Sequence, residues 1–401
     1  MFRLVGLEAK SLVRSLSLKI AFVDYMVNPS KPGRSGLSDI VWDMATELVA
    51  LGHEVHVVAS YATSEVPDGR VVLHNFETPP IGYRNVIGHV WIIKRASDII
   101  KKINPDVVHV PEYLSSAVMA SLGVEAPMIL TVPGNIYQRL SVQRGSSYEW
   151  YYAQILKWAA KVSARRCNAV IAISKEMKMW WERTGSTSER TPVIPLGASP
   201  LRFHYLASAR AELGIDDRFF LLYVGRFAKE KGLRDLLESL RRLPEDLRTS
   251  VQATLIGAGP ERQELENLID QWALESVIKV ISWVPQENLL LWYSAADALV
   301  LPSYSEGFSR TIVEAMMCGT PIIGTKISGT EDHVLDSLTG RLFSPGGVAE
   351  LSAILTEIVS DPAIVRSMRA KVYSYAQENF LWSGIVEQIV EQVYRPAVMN
   401  D

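Results

Sequence analysis

The chain has 401 residues, of which 48% are hydrophobic and 21% charged, and its formal net charge is -3. This composition is typical of a globular chain of about two to three domains and excludes a disordered protein, and the small negative charge gives no support to general nucleic-acid binding. No segment has the roughly 18 uninterrupted apolar residues of a membrane span. Cys167 and Cys318 lie far apart in the sequence and lack zinc-ligand spacing, so we expect two buried thiols in a reducing compartment.

The first half of the chain predicts a parallel sheet. Residues 1–17 form an N-terminal extension without the continuous apolar centre of a secretory signal, and a loose tail and an amphipathic helix both remain open for it. A buried strand at 18–25, a Pro/Gly loop at 28–36, a helix at 37–52 and a strand at 53–60 form one βαβ unit. Later strands are predicted at 106–110, 127–132 and 169–174.

The alternation of strands and helices pauses in a Pro/Gly-rich stretch at 192–203 and then begins again, which predicts a domain boundary. We therefore assign 18–198 to a first domain, 199–380 to a second, and 381–401 to an amphipathic C-terminal helix. Strands of the second domain are predicted at 219–227, 251–257, 277–282, 297–303, 320–325 and 340–343. Because open α/β sheets bind ligands at the carboxyl ends of their strands, we expect the active site in a cleft between the domains.

Two cations follow the first strand of the second domain. The strand ends near Gly225, and Arg226 and Lys231 lie in the loop before the next helix. Cations beside the free N–H groups of a helix start are typical of a phosphate site. The alternative is a solvated charge cluster, since Lys229 and Glu230 share the loop.

The segment 255–269 contains a strand, a glycine turn at Gly257 and a helix that Pro260 is predicted to open. It has part of a dinucleotide-binding fingerprint. The third glycine of that fingerprint is missing, so a Rossmann dehydrogenase loses support.

Two glutamates lie eight residues apart after another predicted strand. Glu306, Gly307 and Phe308 precede a helix that starts at Ser309, and Glu314 lies about one and a half turns into it. The helix N–H groups favour an anion, with which a carboxylate cannot pair, so Glu306 is predicted to contact hydroxyl groups. A sugar diphosphate satisfies both demands, with Glu314 at the ribose. The alternative is that one glutamate stabilises the helix start and the other is exposed in its body.

These segments resemble the retaining glycosyltransferases of family GT4. The resemblance rests on G-R-F-x-x-x-K-G at 225–232, L-I-G-x-G-P at 255–260 and E-G-F-x-x-x-x-x-E-A-M-x-x-G-x-P at 306–321. It implies a GT-B fold, which is α/β with two Rossmann-like parallel-sheet domains facing across a cleft, and a C-terminal helix that crosses back to the first domain. It also implies transfer of a sugar from a nucleotide-sugar to a hydroxyl acceptor, lipid-linked or glycan, with retained configuration.

The resemblance further implies roles for single residues. Arg226 and Lys231 bind the diphosphate and, with Glu306, form the catalytic set. The implied donor-binding residues are Gly36, Gly225, Arg226, Lys231, Gly257, Glu306, Gly307, Phe308, Ser309 and Glu314. The first domain departs from the family pattern, with Ser35, Pro133 and Leu196 where glycine, histidine and asparagine are usual.

Acceptor binding is predicted in the first domain, with His109, Glu112, Asn135 and Tyr137 as candidates. The alternative for His109 is a buried histidine with satisfied hydrogen bonds. The stretch 148–166 is rich in aromatic residues and ends basic, which fits both a membrane-surface helix and a core helix.

We interpret the chain as a retaining glycosyltransferase of glycan biosynthesis that acts in the cytoplasm, in a soluble form or peripherally on the membrane. The nucleotide-sugar is its co-substrate and no cofactor is expected. The sequence contains no Asp-x-Asp, a common way of holding a metal against a diphosphate, so cations and backbone dipoles are predicted to replace the metal. Two other functions remain open: a nucleotide-sugar epimerase of the same architecture, and a non-catalytic nucleotide-sugar or glycan-binding protein.

Overall fold

A computed structural model describes residues 17–24, 36–59, 69–76, 86–132 and 147–399. The chain forms two compact units. Unit 1 contains Met1–Ala172, Lys178–Ile194 and Val386–Asp401, and unit 2 contains Ile173–Met177 and Pro195–Ile385. Neither unit is one continuous stretch of the chain. Apart from residues 17 and 36, the predicted N-terminal extension and the 28–36 loop lie outside the described residues.

Unit 1 contains a parallel sheet in the order β3-β2-β1-β4-β5-β6. Its strands are β1 Lys19–Asp24, β2 Glu54–Ala59, β3 Val72–Asn75, β4 Val107–Val110, β5 Met128–Thr131 and β6 Ala169–Ile171. The inner strands β4 and β5 are fully buried and apolar except for His109 and Thr131, because helices cover both faces of the sheet. The edge strand β3 was not predicted, since its outer residues are exposed and it has no continuous apolar run.

The helices of unit 1 lie on two faces of this sheet. The helices are α1 Gly36–Ala50, α2 Val86–Ile103, α3 Tyr113–Ser121 and α4 Ser147–Arg166, and α5 Lys175–Thr184 follows β6. Three connections cross the sheet in one direction: β3 to β4, β4 to β5, and β5 to β6. The connection from β1 to β2 runs in the opposite direction. Right-handed crossovers therefore place α2, α3 and α4 together on one face and α1 on the other. On their face, α2 packs against α3 and α3 against α4.

Unit 2 contains a second parallel sheet, in the order β12-β11-β10-β7-β8-β9. Its strands are β7 Phe219–Val224, β8 Val251–Ile256, β9 Ile278–Ile281, β10 Ala298–Leu301, β11 Ile322–Thr325 and β12 Gly340–Phe343. Each strand predicted from the sequence in either unit is present, with its ends within three residues of those expected. The two parallel α/β sheets confirm the predicted fold class.

Helices alternate with the strands of unit 2. They are α6 Ala209–Leu213, α7 Leu233–Arg241, α8 Glu245–Thr249, α9 Arg262–Gln271, α10 Gln286–Ala295, α11 Arg310–Met317, α12 Ser328–Glu331, α13 Val348–Ser360 and α14 Ala363–Asn379, with a 3₁₀ turn at Lys229–Lys231. The chain ends with α15 Trp382–Ile389, a π-helical turn at Val390–Tyr394 and α16 Arg395–Met399. Among the described helices, none combines the length and hydropathy needed to cross a bilayer.

Candidate functional site

Three neighbouring strands of unit 2 end at the predicted site. Strands β10, β7 and β8 are adjacent in the sheet, so the loops at their carboxyl ends lie side by side. The loop after β7 carries Arg226 and Lys231, the turn after β8 carries Gly257, and the loop after β10 carries Glu306. The structure thus brings the three sequence motifs to one edge of one sheet.

Glycines allow the backbones of these loops to touch. A Cβ atom on Gly257 would lie 1.8 Å from the carbonyl oxygen of Gly225, and one on Gly232 would lie 2.1 Å from that of Pro302. Gly232 also has a φ of +62°, in the left-handed region that favours glycine. A side chain at either position would force the loops apart, so the glycines of the motifs fix the spacing of the site.

Lys231 and Glu306 form an ion pair across two of these loops. The Nζ atom of Lys231 lies 2.5 Å from Oε1 of Glu306, and the hydroxyl of Ser303 donates to the same oxygen at 3.0 Å. The lysine side chain is 20% exposed and the glutamate 10%. The sequence motifs predict a phosphate contact for Lys231 and hydroxyl contacts for Glu306, and they do not predict that the two residues pair with each other.

Arg226 is held from two sides. Its guanidinium pairs with Glu230, four residues along the chain, and remains 44% exposed. Its carbonyl oxygen accepts a hydrogen bond of 3.0 Å from the hydroxyl of Tyr223, a fully buried residue whose pKa is raised by burial. Tyr223 thus fixes the backbone from which Arg226 extends, a role that sequence reasoning did not predict.

Glu314 is buried, with 6% of its surface exposed, so the alternative of an exposed glutamate in the helix body is wrong. Its Oε2 atom accepts from the hydroxyl of Tyr293 at 2.9 Å, and its Oε1 atom accepts from Arg310 at 3.1 Å. Burial, followed by the Glu314 charge, raises the pKa of Tyr293, which therefore stays a donor. The i,i+4 spacing of Arg310 and Glu314 is visible in the sequence, whereas nothing there indicates Tyr293.

Helix α11 begins between Glu306 and Glu314 in the sequence. Ser309 is its N-cap residue, but its hydroxyl bonds the side chain of Thr311 at 2.9 Å and not the helix backbone. Phe308 is 8% exposed and packs edge-on against His333, with ring centroids 4.7 Å apart. An N-terminus whose cap residue leaves the backbone N–H groups unbonded by its side chain fits an anion site.

The helix after β8 starts later than predicted. It begins at Arg262, and Pro260 lies in the turn before it. That turn is bonded to the β7 loop, since the amide of Phe227 donates to Ala258 and the amide of Glu261 donates to Phe227. These two hydrogen bonds hold the chain in a turn beyond Pro260 and so delay the helix.

The first-domain candidates have other contacts. His109 is 1% exposed, and its ring nitrogens lie 2.5 Å from the hydroxyl of Tyr394 and 2.8 Å from that of Thr131, which favours the alternative of a buried, satisfied histidine. The carboxylate of Glu112 caps α3 by accepting from the amides of Leu114 and Ser115.

Other predicted positions are only partly described. Gly36 is the first residue of α1. Asn135, Tyr137, Ser35 and Pro133 lie outside the described residues. Within the described part of the chain, no three His, Cys, Asp or Glu side chains are grouped so that they could hold a metal ion.

Comparison with known proteins agrees with this arrangement. A family model described as Glycosyl transferases group 1 matches residues 207–379, and one described as Glycosyltransferase Family 4 matches residues 34–200. The chain is a group 1 glycosyltransferase of the family 4 type. The predicted family and enzyme class are therefore confirmed.

Relatives of this glycosyltransferase match it over nearly their whole length. It is 27% identical to a glycogen synthase of Mycobacterium tuberculosis, over 95% of each chain. It is 24% identical to a D-inositol 3-phosphate glycosyltransferase of Pseudarthrobacter chlorophenolicus, over 97% of this chain and 96% of the relative.

Solved structures show the same fold. The glycosyltransferase matches sucrose-phosphate synthase of Thermosynechococcus elongatus with a TM-score of 0.78 and 24% identity, over 95% and 99% of the two chains. It matches Anabaena HepE in complex with UDP with a TM-score of 0.74 and 21% identity, over 94% and 99%. The fold of the chain is GT-B.

Proposed function

We propose that this glycosyltransferase moves a sugar from a nucleoside diphosphate donor to a hydroxyl acceptor, with retention of configuration and without a metal ion. The observation that supports the donor half is the meeting of Arg226, Lys231 and Glu306 at the carboxyl edge of one sheet, next to the start of α11. A diphosphate needs cations and N–H groups, and a sugar needs acceptors for its hydroxyls; this edge offers both.

The cations keep donor capacity although each already pairs with a glutamate. An ammonium has three N–H donors and a guanidinium has five, so the bonds to Glu306 and Glu230 leave donors for phosphate oxygens. When the glycosidic bond breaks, negative charge develops on the leaving diphosphate. Lys231 and Arg226 would stabilise that charge, which is the main demand of the reaction.

We assign Glu314 to the ribose of the donor. Its carboxylate accepts from Tyr293 on one oxygen and from Arg310 on the other. Tyr293 and Arg310 would hold the carboxylate in place for this contact.

The relatives guide the choice of donor. Anabaena HepE has been solved with UDP and with UDP-glucose. We propose UDP-sugars as the first donors to test, lipid-linked or glycan hydroxyls as acceptors, and the cytoplasm as the place of action.

A donor screen tests the proposal. Purified enzyme is incubated with nucleotide-sugars and with lipid-linked or glycan acceptors, and release of nucleoside diphosphate and the glycosylated product are measured. We expect release that depends on the acceptor and a product of retained configuration. Formation of an epimer from the donor alone, or donor binding without turnover in every acceptor mixture, would contradict transfer.

Two arginine variants make the test specific for the site. Arg226→Ala should weaken donor binding and lower kcat by about 10²-fold, the usual effect of losing one transition-state contact. Arg242→Ala is the matched control, since it removes a similar i,i+4 pair, with Glu238, on an exposed part of unit 2. Equal kinetics for the two variants would overturn the assignment of Arg226.

A further inference from the structure

One face of unit 1 is covered by three helices in a row. Helix α3 lies between α2 and α4 and is mostly buried, so the outer surface of this layer comes from α2 and α4. The two helices are separated by more than 40 residues in the sequence, and only the crossovers of the sheet bring them to the same face. Their exposed side chains therefore belong to one surface.

This surface is strongly basic. Its exposed basic residues are Lys94, Arg95, Lys101 and Lys102 on α2 and Lys161, Arg165 and Arg166 on α4. Among the described side chains of these two helices, Asp98 is the single exposed acid. The whole chain has a formal net charge of -3, so the positive charge of this face is a local feature and not a reflection of the composition.

Exposed apolar side chains lie among the cations. Trp158 is 53% exposed, Val90 43% and Trp91 39%. On α4, Lys161 and Arg165 follow Trp158 at the i+3 and i+7 positions of the same helical stripe. On α2, the guanidinium of Arg95 lies 5.7 Å from the centre of the Trp91 ring. Each helix thus presents a tryptophan next to positive charge.

We propose that this α2/α4 face binds the surface of a bilayer that contains anionic phospholipid. Phosphate headgroups complement the cations, and tryptophan prefers the interface between headgroups and acyl chains. A polyanion without an apolar layer, such as a nucleic acid duplex, would use the charge but would leave the exposed Trp158 and Val90 in water. The half-exposed apolar residues therefore favour the lipid.

The sequence indicated only part of this surface. The stretch 148–166 fits both a membrane-surface helix and a core helix. In the structure, α4 buries Ala159, Ala160 and Ser163 and exposes Trp158, so it has a core side and an exposed side, and the proposal concerns the exposed side. The side chains of Trp150, Tyr151 and Tyr152 lie outside the described part. Helix α2 was not predicted to take part.

Flotation with liposomes tests the proposal without donor or acceptor, so its outcome is independent of sugar transfer. The full chain is mixed at low salt with phosphatidylcholine vesicles or with vesicles that also contain about 30% phosphatidylglycerol. Three variants each lose two positive charges: Lys94→Gln/Lys102→Gln on α2, Lys161→Gln/Arg166→Gln on α4, and the control Lys279→Gln/Lys371→Gln on exposed positions of unit 2. Circular dichroism and thermal unfolding confirm that each variant is folded.

We expect the wild type and the control to float with the anionic vesicles and not with the neutral ones. Each basic residue near an anionic surface contributes about fivefold to partitioning, so the α2 and α4 variants should each bind about 30-fold more weakly. Trp158→Ala should weaken binding even at high salt, where the charges are screened. The proposal is overturned if the wild type stays in the soluble fraction, if all three double variants behave alike, or if duplex DNA binds more tightly than the vesicles.

Discussion

The ion pair between Lys231 and Glu306 couples two residues to which the proposed function gives separate tasks. We predict the kinetics of Lys231→Ala, Glu306→Ala and the double variant. In the proposed function, each single change removes a contact to the donor, and we expect each to lower kcat/KM by about 10²- to 10³-fold. If the two residues acted independently, the losses would multiply.

The structure indicates that they do not act independently. The Nζ and Oε1 atoms are 2.5 Å apart, and both side chains are mostly shielded from solvent, at 20% and 10% exposure. Contacting charged residues show coupling energies of about 0.5–3 kcal/mol, and shielding favours the upper part of this range. A coupling of about 2 kcal/mol makes the double variant about 30-fold more active than the product of the single effects.

The assay is initial-rate kinetics with the donor found in the screen, complemented by calorimetric titration of the nucleoside diphosphate. The exposed pair Arg242 and Glu238, joined at 2.5 Å on the surface, is the control cycle and should show no coupling in catalysis. Strict multiplication of the two losses would refute a functional ion pair. A double variant no worse than Lys231→Ala would refute an independent contact of Glu306 with the sugar.

Four further predictions follow from the sequence and the fold. Activity should persist in excess EDTA, because the chain has no Asp-x-Asp; complete loss that Mg²⁺ or Mn²⁺ restores would contradict this. Burial lowers the pKa of His109 from 6.5 to about 3, so the unfolded chain takes up the proton first as the pH falls below about 6.5. The free energy of unfolding measured in urea titrations should therefore fall by about 2 kcal/mol between pH 7 and pH 5. His109→Gln should make this free energy less dependent on pH, and an unchanged pH dependence in the variant would contradict the role given to His109. Gly232→Ala should destabilise unit 2 by at least about 1–2 kcal/mol, because a residue with a Cβ atom is strained in the left-handed conformation, and the clash with the Pro302 carbonyl should add to this. A thermal unfolding midpoint equal to that of the wild type would contradict this prediction. Exchanging residues 133–166 with those of a relative should change acceptor choice while donor hydrolysis stays the same, and unchanged acceptor preference would disprove the acceptor assignment.

Continuous apolar runs were enough to predict the buried strands, because a parallel sheet covered on both faces leaves no polar alternation. The same rule failed at the edge strand Val72–Asn75, where only one side has a neighbour and the pattern is mixed. The late start of the helix at Arg262 also escaped prediction, since hydrogen bonds to Phe227, more than 30 residues earlier, hold the turn before it.

Motif spacing predicted which loops meet at the candidate site but did not predict the contacts within it. The glycines and charged residues at 225–232 and 306–321 were predicted correctly to lie at strand ends of one sheet. The partners of these residues depend on packing between separate segments: Tyr293 reaches Glu314 from another helix, and Lys231 pairs with Glu306 from 75 positions away. No local pattern in the sequence encodes such contacts.

The hydrogen bond between His109 and Tyr394 joins residues that are 285 positions apart in the chain. Unit 1 includes Val386–Asp401, and nearly all of unit 2 lies before that segment. During synthesis, unit 1 therefore cannot be completed until the ribosome has made nearly all of unit 2 and then Val386–Asp401. Until that segment emerges, the buried imidazole lacks the tyrosine hydroxyl, and a truncation before Val386 would damage the unit whose synthesis begins first.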